Sequence, residues 1–216
     1  MTTHVVSHHI STEAQPRMAF ERLAGFCGLA AAAANLVYAI AFIVLHDPLL
    51  SGLALLLGNL LATAVLCGLY MRVRAVEGGF AVWALLLGTA GALGGTIHGG
   101  YDLANALHPP TALAAVADLP SAIDPRGLLT FGVAGIGLLV FAALIGRSGS
   151  FPRGLATLGY VLAALLIVLY LGRLIVLDAT SLLILGPALL SGFIVSPLWN
   201  AWVGIVLWRG ELRADA

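Results

Sequence analysis

The chain has 216 residues, of which 61% are hydrophobic and 9% charged, with a formal net charge of zero and a mean hydropathy of +1.04. A water-soluble domain carries roughly 25% charged residues, so this composition excludes an ordinary aqueous fold, and the zero net charge gives no bulk attraction to nucleic acid. All ten basic residues are Arg; without lysine there is no Schiff-base cofactor such as retinal or pyridoxal phosphate, and no phosphate-loop lysine.

In chain order, residues 1–21 are expected to form a cytoplasmic tail. Its HVVSHH segment (His4, His8, His9) reads as polar tail rather than metal site, and no cleavable signal pattern is present. Crossing ~30 Å of hydrocarbon takes ~20 apolar residues, and six runs meet that length, at about 22–45, 48–71, 80–104, 126–146, 153–176 and 181–208. Backbone groups in lipid must be satisfied within the segment, which makes these runs helices. Strand-like alternation is absent, which excludes a barrel. The expected fold is an all-α integral membrane bundle of six transmembrane helices, with residues 209–216 as a C-terminal tail.

Arginine placement sets the orientation. Arg17, Arg22, Arg72, Arg74, Arg147, Arg153, Arg209 and Arg213 all fall at one end of the spans, leaving Arg126 and Arg173 for the other. The positive-inside rule then puts both termini in the cytoplasm. Cys27 and Cys67 lie near that reducing side and are expected to stay free thiols.

The connections at the opposite end carry a helix-start signal. Asp47-Pro48 precedes the second span and Asp124-Pro125 the fourth, with Asp accepting from first-turn amides and Pro losing nothing at the first helical position. Asp178 can serve the sixth span similarly. The 107–124 segment is the longest connection, and its three prolines with Pro125 bracket a stretch suited to an interfacial lid or a plain surface loop.

Chemistry concentrates in GTIHGGYDLANALHPP, residues 95–110. His98, Tyr101, Asp102 and Asn105 recur at helical spacing and share one face. Counting ~1.5 Å per residue from Phe80 places His98 about a turn inside the hydrocarbon edge and Asp102 at headgroup level. The same helix holds G-x-x-x-G pairs at Gly91/Gly95 and Gly95/Gly99, which let backbones approach closely and mark the helix as a packing hub. Arg173 lies at the depth of Asp102, so an Asp102–Arg173 ion pair is expected, with Asp178 as competitor.

A second tier comprises His46 and His108 at the same end, with Asn35 and Asn59 at mid-span. The two asparagines are placed to hydrogen-bond across antiparallel neighbours; Tyr38 and Thr63 are the other mid-span polar groups. His46, His98 and His108 are the conceivable metal ligands, but no H-x-x-x-H or H-E-x-x-H motif sets two on one face, and no metal is expected. In the sixth span Pro187 and Pro197 allow kinks, while Trp199, Trp202 and Trp208 suit an aromatic belt at the inner interface.

The segments GTIHGGYDLANALHPP, DPRGLLTFG and YLGRLIVLD together resemble a group of bacterial six-span integral membrane proteins in which such segments flank the outer ends of helices. The resemblance implies a multi-pass protein of the bacterial inner membrane and attaches no activity. His98-x-x-x-Asp102 is also reminiscent of the zinc-dependent alkaline-ceramidase and progestin-receptor-like hydrolases. Their seventh span and paired histidine motif are missing here, so that activity is not carried over.

The function expected from the residues is binding of a lipid, quinone or other small apolar molecule at an outward-facing polar site, in transport or sensing. The site would use His98, Tyr101, Asp102, Asn105 and Arg173. The alternatives are a structural or assembly subunit packing against another membrane protein through its glycine faces, and a metal-dependent membrane hydrolase. No cofactor is expected; the expected partners are membrane lipids, a small apolar ligand and another membrane protein, not nucleic acid.

Overall fold

The computed structural model describes residues 11–109, 127–176 and 181–210. Asp124, Arg126, Asp178 and the loop after Pro109 lie outside the described residues. Six helices are long and apolar enough to cross a membrane, and no strand occurs among the described residues. They are α1 (Ser11–Ala39, continued by a π turn over Ile40–Leu45), α2 (Pro48–Val73), α3 (Gly78–Leu107), α4 (Leu128–Ser148), α5 (Arg153–Ile175) and α6 (Leu182–Arg209).

All six expected spans are present, with shifted ends. Residues 11–21, expected as tail, form the first turns of α1, and one of them has a tertiary partner. Glu21 Oε2 accepts from Arg72 Nε at 3.3 Å and Nη2 at 3.0 Å, and the Arg72 guanidinium lies 5.7 Å over the Phe151 ring. This contact ties α1, α2 and the start of α5 at the arginine-rich end. There, Arg147 and Glu77 form a second, exposed pair at 3.1 Å.

At the opposite end Asp47 caps α2 as its sequence implies. One carboxylate oxygen accepts from the amides of Leu49 and Leu50, both at 3.0 Å, and Pro48 opens the helix. Just before it, α1 widens into its π turn and stops at His46, whose φ of 54° is left-handed. That conformation costs a non-glycine residue roughly 1–2 kcal/mol. It is offset locally by a 3.1 Å hydrogen bond between His46 Nδ1 and the Phe42 carbonyl.

Two more π turns occur, over Leu128–Val133 at the start of α4 and Ser191–Val195 inside α6. The latter sits between Pro187 and Pro197. Each proline removes a donor from the helix ladder, and the one-turn widening is where α6 absorbs the loss.

The helices close into a ring in chain order: α1 packs on α2 and α6, α2 on α3, α3 on α4, α4 on α5, and α5 on α6. Glycine makes three of these seams. Between α2 and α3, a Cβ at Gly52 would lie 2.7 Å from the Leu103 amide, and one at Gly99 would lie 2.7 Å from the Gly52 carbonyl. Between α3 and α4, a Cβ at Gly137 would meet the Gly88 amide at 2.6 Å, and Gly91 and Gly94 sit on Ala134 and Leu129. Between α1 and α6, a Cβ at Gly28 would lie 2.8 Å from Gly204 Cα. No side chain larger than hydrogen fits at these crossings.

Burial is distributed unevenly along the ring axis. The largest fully buried side chains, including Phe141, Leu69, Leu144, Ile145, Leu155 and Leu207, all lie in the half nearest the arginine-rich end. In the other half the buried residues are mostly small, such as Ala39, Ala41, Ser51, Ala54 and Thr130, with Leu55, Leu169 and Ile184 as the larger ones. Trp199 belongs to the plugged half. It is buried against Gly159, so it leaves the expected aromatic belt to Trp202 and Trp208, which are exposed.

Gly99→Ala is expected to lower thermal stability in detergent by at least roughly 1–3 kcal/mol, because its Cβ meets backbone on α2. Gly78→Ala, where nothing lies within 4 Å, is expected to be neutral or slightly stabilising. Asp47→Ala is expected to cost about 1 kcal/mol through loss of the cap. Equal melting curves for the two glycine variants would show that the α2–α3 crossing is not set by glycine.

Candidate functional site

The two glycine seams of α3 fix where its polar stripe points. Gly95 and Gly99 seat on α2, whereas Gly88, Gly91 and Gly94 seat on residues of α2 and α4. At 3.6 residues per turn, His98, Asp102 and Asn105 project between those seams, toward the ring interior. His98 Nε2 lies 3.5 Å from Asp102 Oδ2, with the side chains 12% and 35% exposed. Asn105 is half-buried one turn further along. Tyr101 stands at the edge of the stripe and is 37% exposed.

Arg173 comes from the last turn of α5. Its guanidinium carbon lies 5.9 Å from the Phe131 ring centroid, so the side chain leans across onto the π turn that opens α4. Arginine over an aromatic face is held by the ring quadrupole, with its planar N–H edge directed away from the ring. The cation is half-buried at this position.

The third contributor is Tyr38 of α1, stacked on Phe42 with ring centroids 5.6 Å apart and planes 15° from parallel. Its phenol lies within electrostatic reach of both the Asp102 carboxylate and the Arg173 guanidinium. Helices α1, α3 and α5 therefore bring a phenol, a carboxylate with its imidazole neighbour and a guanidinium together at the arginine-poor end. In the low dielectric between helices such groups interact far more strongly than in water.

Beneath this group lies a layer of carboxamides. Asn35 donates to Ser196 Oγ of α6 at 3.0 Å, and Asn200 donates to the Ser196 carbonyl at 2.9 Å. Asn59 donates to Leu55 O of its own helix at 2.8 Å, with Gly95 of α3 pressed against its carboxamide. The expected Asn35–Asn59 bond is thus not made. Asn35 faces α6, and Asn59 is fixed by its own backbone. Thr63 and Thr96 likewise bond back to Leu60 O and Ala92 O.

The remaining second-tier positions fall elsewhere. His46 terminates α1, and His108 is the exposed C-cap residue of α3, its amide donating to Ala104 O at 2.9 Å. Among the described residues no three His, Cys, Asp or Glu side chains converge, so His46, His98 and His108 are not gathered. Cys27 and Cys67 are free thiols.

Three contributors escaped the ranking by sequence. Phe131 and Ser196 carry no signal of their own. Tyr38 does: it lies seven residues inside the end of α1 at Leu45, and Asp102 lies five inside the end of α3 at Leu107. Counting depth from the arginine-poor ends would have put them together.

Asp102→Arg and Arg173→Asp are each expected to lower thermal stability, and the double reversal to recover most of the loss, with a coupling of about 1 kcal/mol. A double variant no more stable than the worse single variant would exclude pairing between the two. No family model, curated protein or solved structure matches the chain, so the site is interpreted from its own chemistry.

Proposed function

We propose that this is a multi-pass protein of the bacterial inner membrane, with both termini cytoplasmic. In this proposal it binds a lipid, quinone or other small apolar molecule at an outward-facing polar site, in transport or sensing. The orientation rests on the eight arginines of one end, since the positive-inside rule counts basic residues and not net charge. Ion pairing of Arg72 and Arg147 with Glu21 and Glu77 therefore leaves it unchanged.

The observation that carries the proposal is the lengthwise asymmetry of the bundle. One half is filled by Phe141, Leu144, Leu155, Leu207 and their neighbours, whereas the other buries mainly small residues around Tyr38, His98, Asp102 and Arg173. A ligand site combines apolar walls with a few convergent polar groups, and both kinds of group are present at the outward end. Arg173, held on Phe131, supplies a cation for an anionic or carbonyl-bearing head. Tyr38, His98 and Asn105 supply hydrogen bonds, with Tyr101 at the rim.

The competing subunit role loses its main support. The glycine faces that suggested a partner protein are occupied within the chain by α1, α2, α4 and α6.

The test is purification in mild detergent followed by native mass spectrometry and lipid extraction. A stoichiometric amphiphile is expected with the unaltered protein and is expected to be lost in Arg173→Ala in preparations that remain folded and monodisperse. A stable copurifying membrane protein with no bound amphiphile would instead establish the subunit role. Stoichiometric zinc or iron lost in His98→Ala would establish the hydrolase.

A further inference from the structure

The outward half of α6 does not complete the ring. Of Leu182–Leu190 only Ile184 is buried, and it packs on α5, where a Cβ at Gly172 would lie 3.2 Å from its Cγ1. The inward half differs: Trp199, Asn200, Val203, Gly204, Val206 and Leu207 are all buried, with Gly204 locked onto Gly25 and Gly28 of α1. Between the two halves lies the π turn Ser191–Val195, flanked by Pro187 and Pro197. A π turn adds a residue to one turn and so re-aims every face beyond it. Inward of it α6 packs on α1; outward of it α6 packs on α5 and leaves α1.

The point of separation can be located. A Cβ at Gly192 would touch Ala39 Cβ of α1 at 3.4 Å, so the seam is closed there. Leu185 and Leu189 lie seven and three residues before Gly192, on the same helical face, and each is 37% exposed. Across from them on α1, Phe42 is three residues beyond Ala39 and 57% exposed. Leucines on a face that meets α1 one turn lower are thus left uncovered. The gap is bounded by Phe42 and its stacked neighbour Tyr38 on one side, and by Leu185 and Leu189 on the other.

We infer that this gap is a lateral opening through which an acyl chain of a membrane amphiphile reaches the interior from the lipid. The inference rests on the binding function proposed above and names the ligand's class and route. Both rims are apolar and carry no charge, and both lie within segments apolar enough to span the membrane. They present to bilayer hydrocarbon the same chemistry as an acyl chain, whereas a water-borne solute gains nothing along them. The inner end of the route is the Tyr38 phenol, which lies in the fields of Asp102 and Arg173. A polar head is thereby stationed at the charged cluster while its tail lies in the opening. Any closure of the opening by α6 must turn on Ser191–Val195.

The experiment places the full-length protein in nanodiscs containing phosphatidylglycerol with a photoreactive diazirine on its acyl chain, and maps the adducts after irradiation. Leu182, 82% exposed, reports lipid at the outer surface; Tyr38 reports the rim of the opening and His98 the interior. Adducts are expected at all three, with those at Tyr38 and His98 saturating as the labelled lipid is raised. Leu189→Trp is expected to abolish the His98 adduct and leave that at Leu182. Leu189→Ala, which widens the gap, is expected to increase it. An interior adduct unaffected by Leu189→Trp would overturn the lateral route while leaving the binding site standing. If Leu182 is labelled and His98 is not, even in the unaltered protein, no acyl chain enters and the inference fails. A copurified amphiphile lost in Arg173→Ala would then still uphold binding by another path, and its absence would remove both.

Discussion

Close backbone approach at glycine is the constraint on which this architecture depends. Lipid tails are as apolar as leucine, so helices of this composition gain little from hiding apolar faces from one another; contact distance and packing decide association. Gly52 and Gly99, Gly88 and Gly137, and Gly28 and Gly204 bring successive helices to backbone contact. Two of these seams lie on α3 and flank its polar stripe. The inward direction of His98 and Asp102 thus follows from the absence of side chains on either side of them.

The two halves of the bundle solve different problems. At the arginine-rich end, large aliphatic and aromatic side chains fill the ring, and the Arg72–Glu21 pair on Phe151 ties three elements across it. At the other end the buried residues are mainly small, and the His98–Asp102 pair and Arg173 lie in that half. The π turns of α1 and α4 lie in that half, and the π turn of α6 lies at its boundary. Hydrogen-bond geometry is poorer in such turns, and they recur at functional sites. Regular α-helix is kept for the plugged half.

The spans were legible because each is a long apolar run ended by arginine or by a turn signal, and Asp47-Pro48 could be identified as a cap from two residues. The hub role of α3 was legible too, since eight glycines in one helix have few other uses. Rotation about the helix axes was not. Asn35 and Asn59 sit at matching depth in neighbouring helices, yet one turns to Ser196 and the other to its own Leu55 carbonyl. Depth fixes a layer, and the partner within it depends on azimuth, which no local pattern encodes. Trp199 is the same case: three nearby tryptophans look like one belt, and only Trp199 meets the notch at Gly159. Glu21 was overlooked because orientation is counted in arginines, although its packing on Arg72 extends α1 well before the apolar run.

The α1–α6 seam also has a consequence for assembly. Gly204 of α6 locks onto Gly25 and Gly28 of α1, from which four helices separate it along the chain. Without Gly204 in place, Gly25 and Gly28 leave a narrow bare groove of backbone on α1, and the other five helices form an open arc. Ring closure is therefore a long-range event that contacts between successive helices cannot complete.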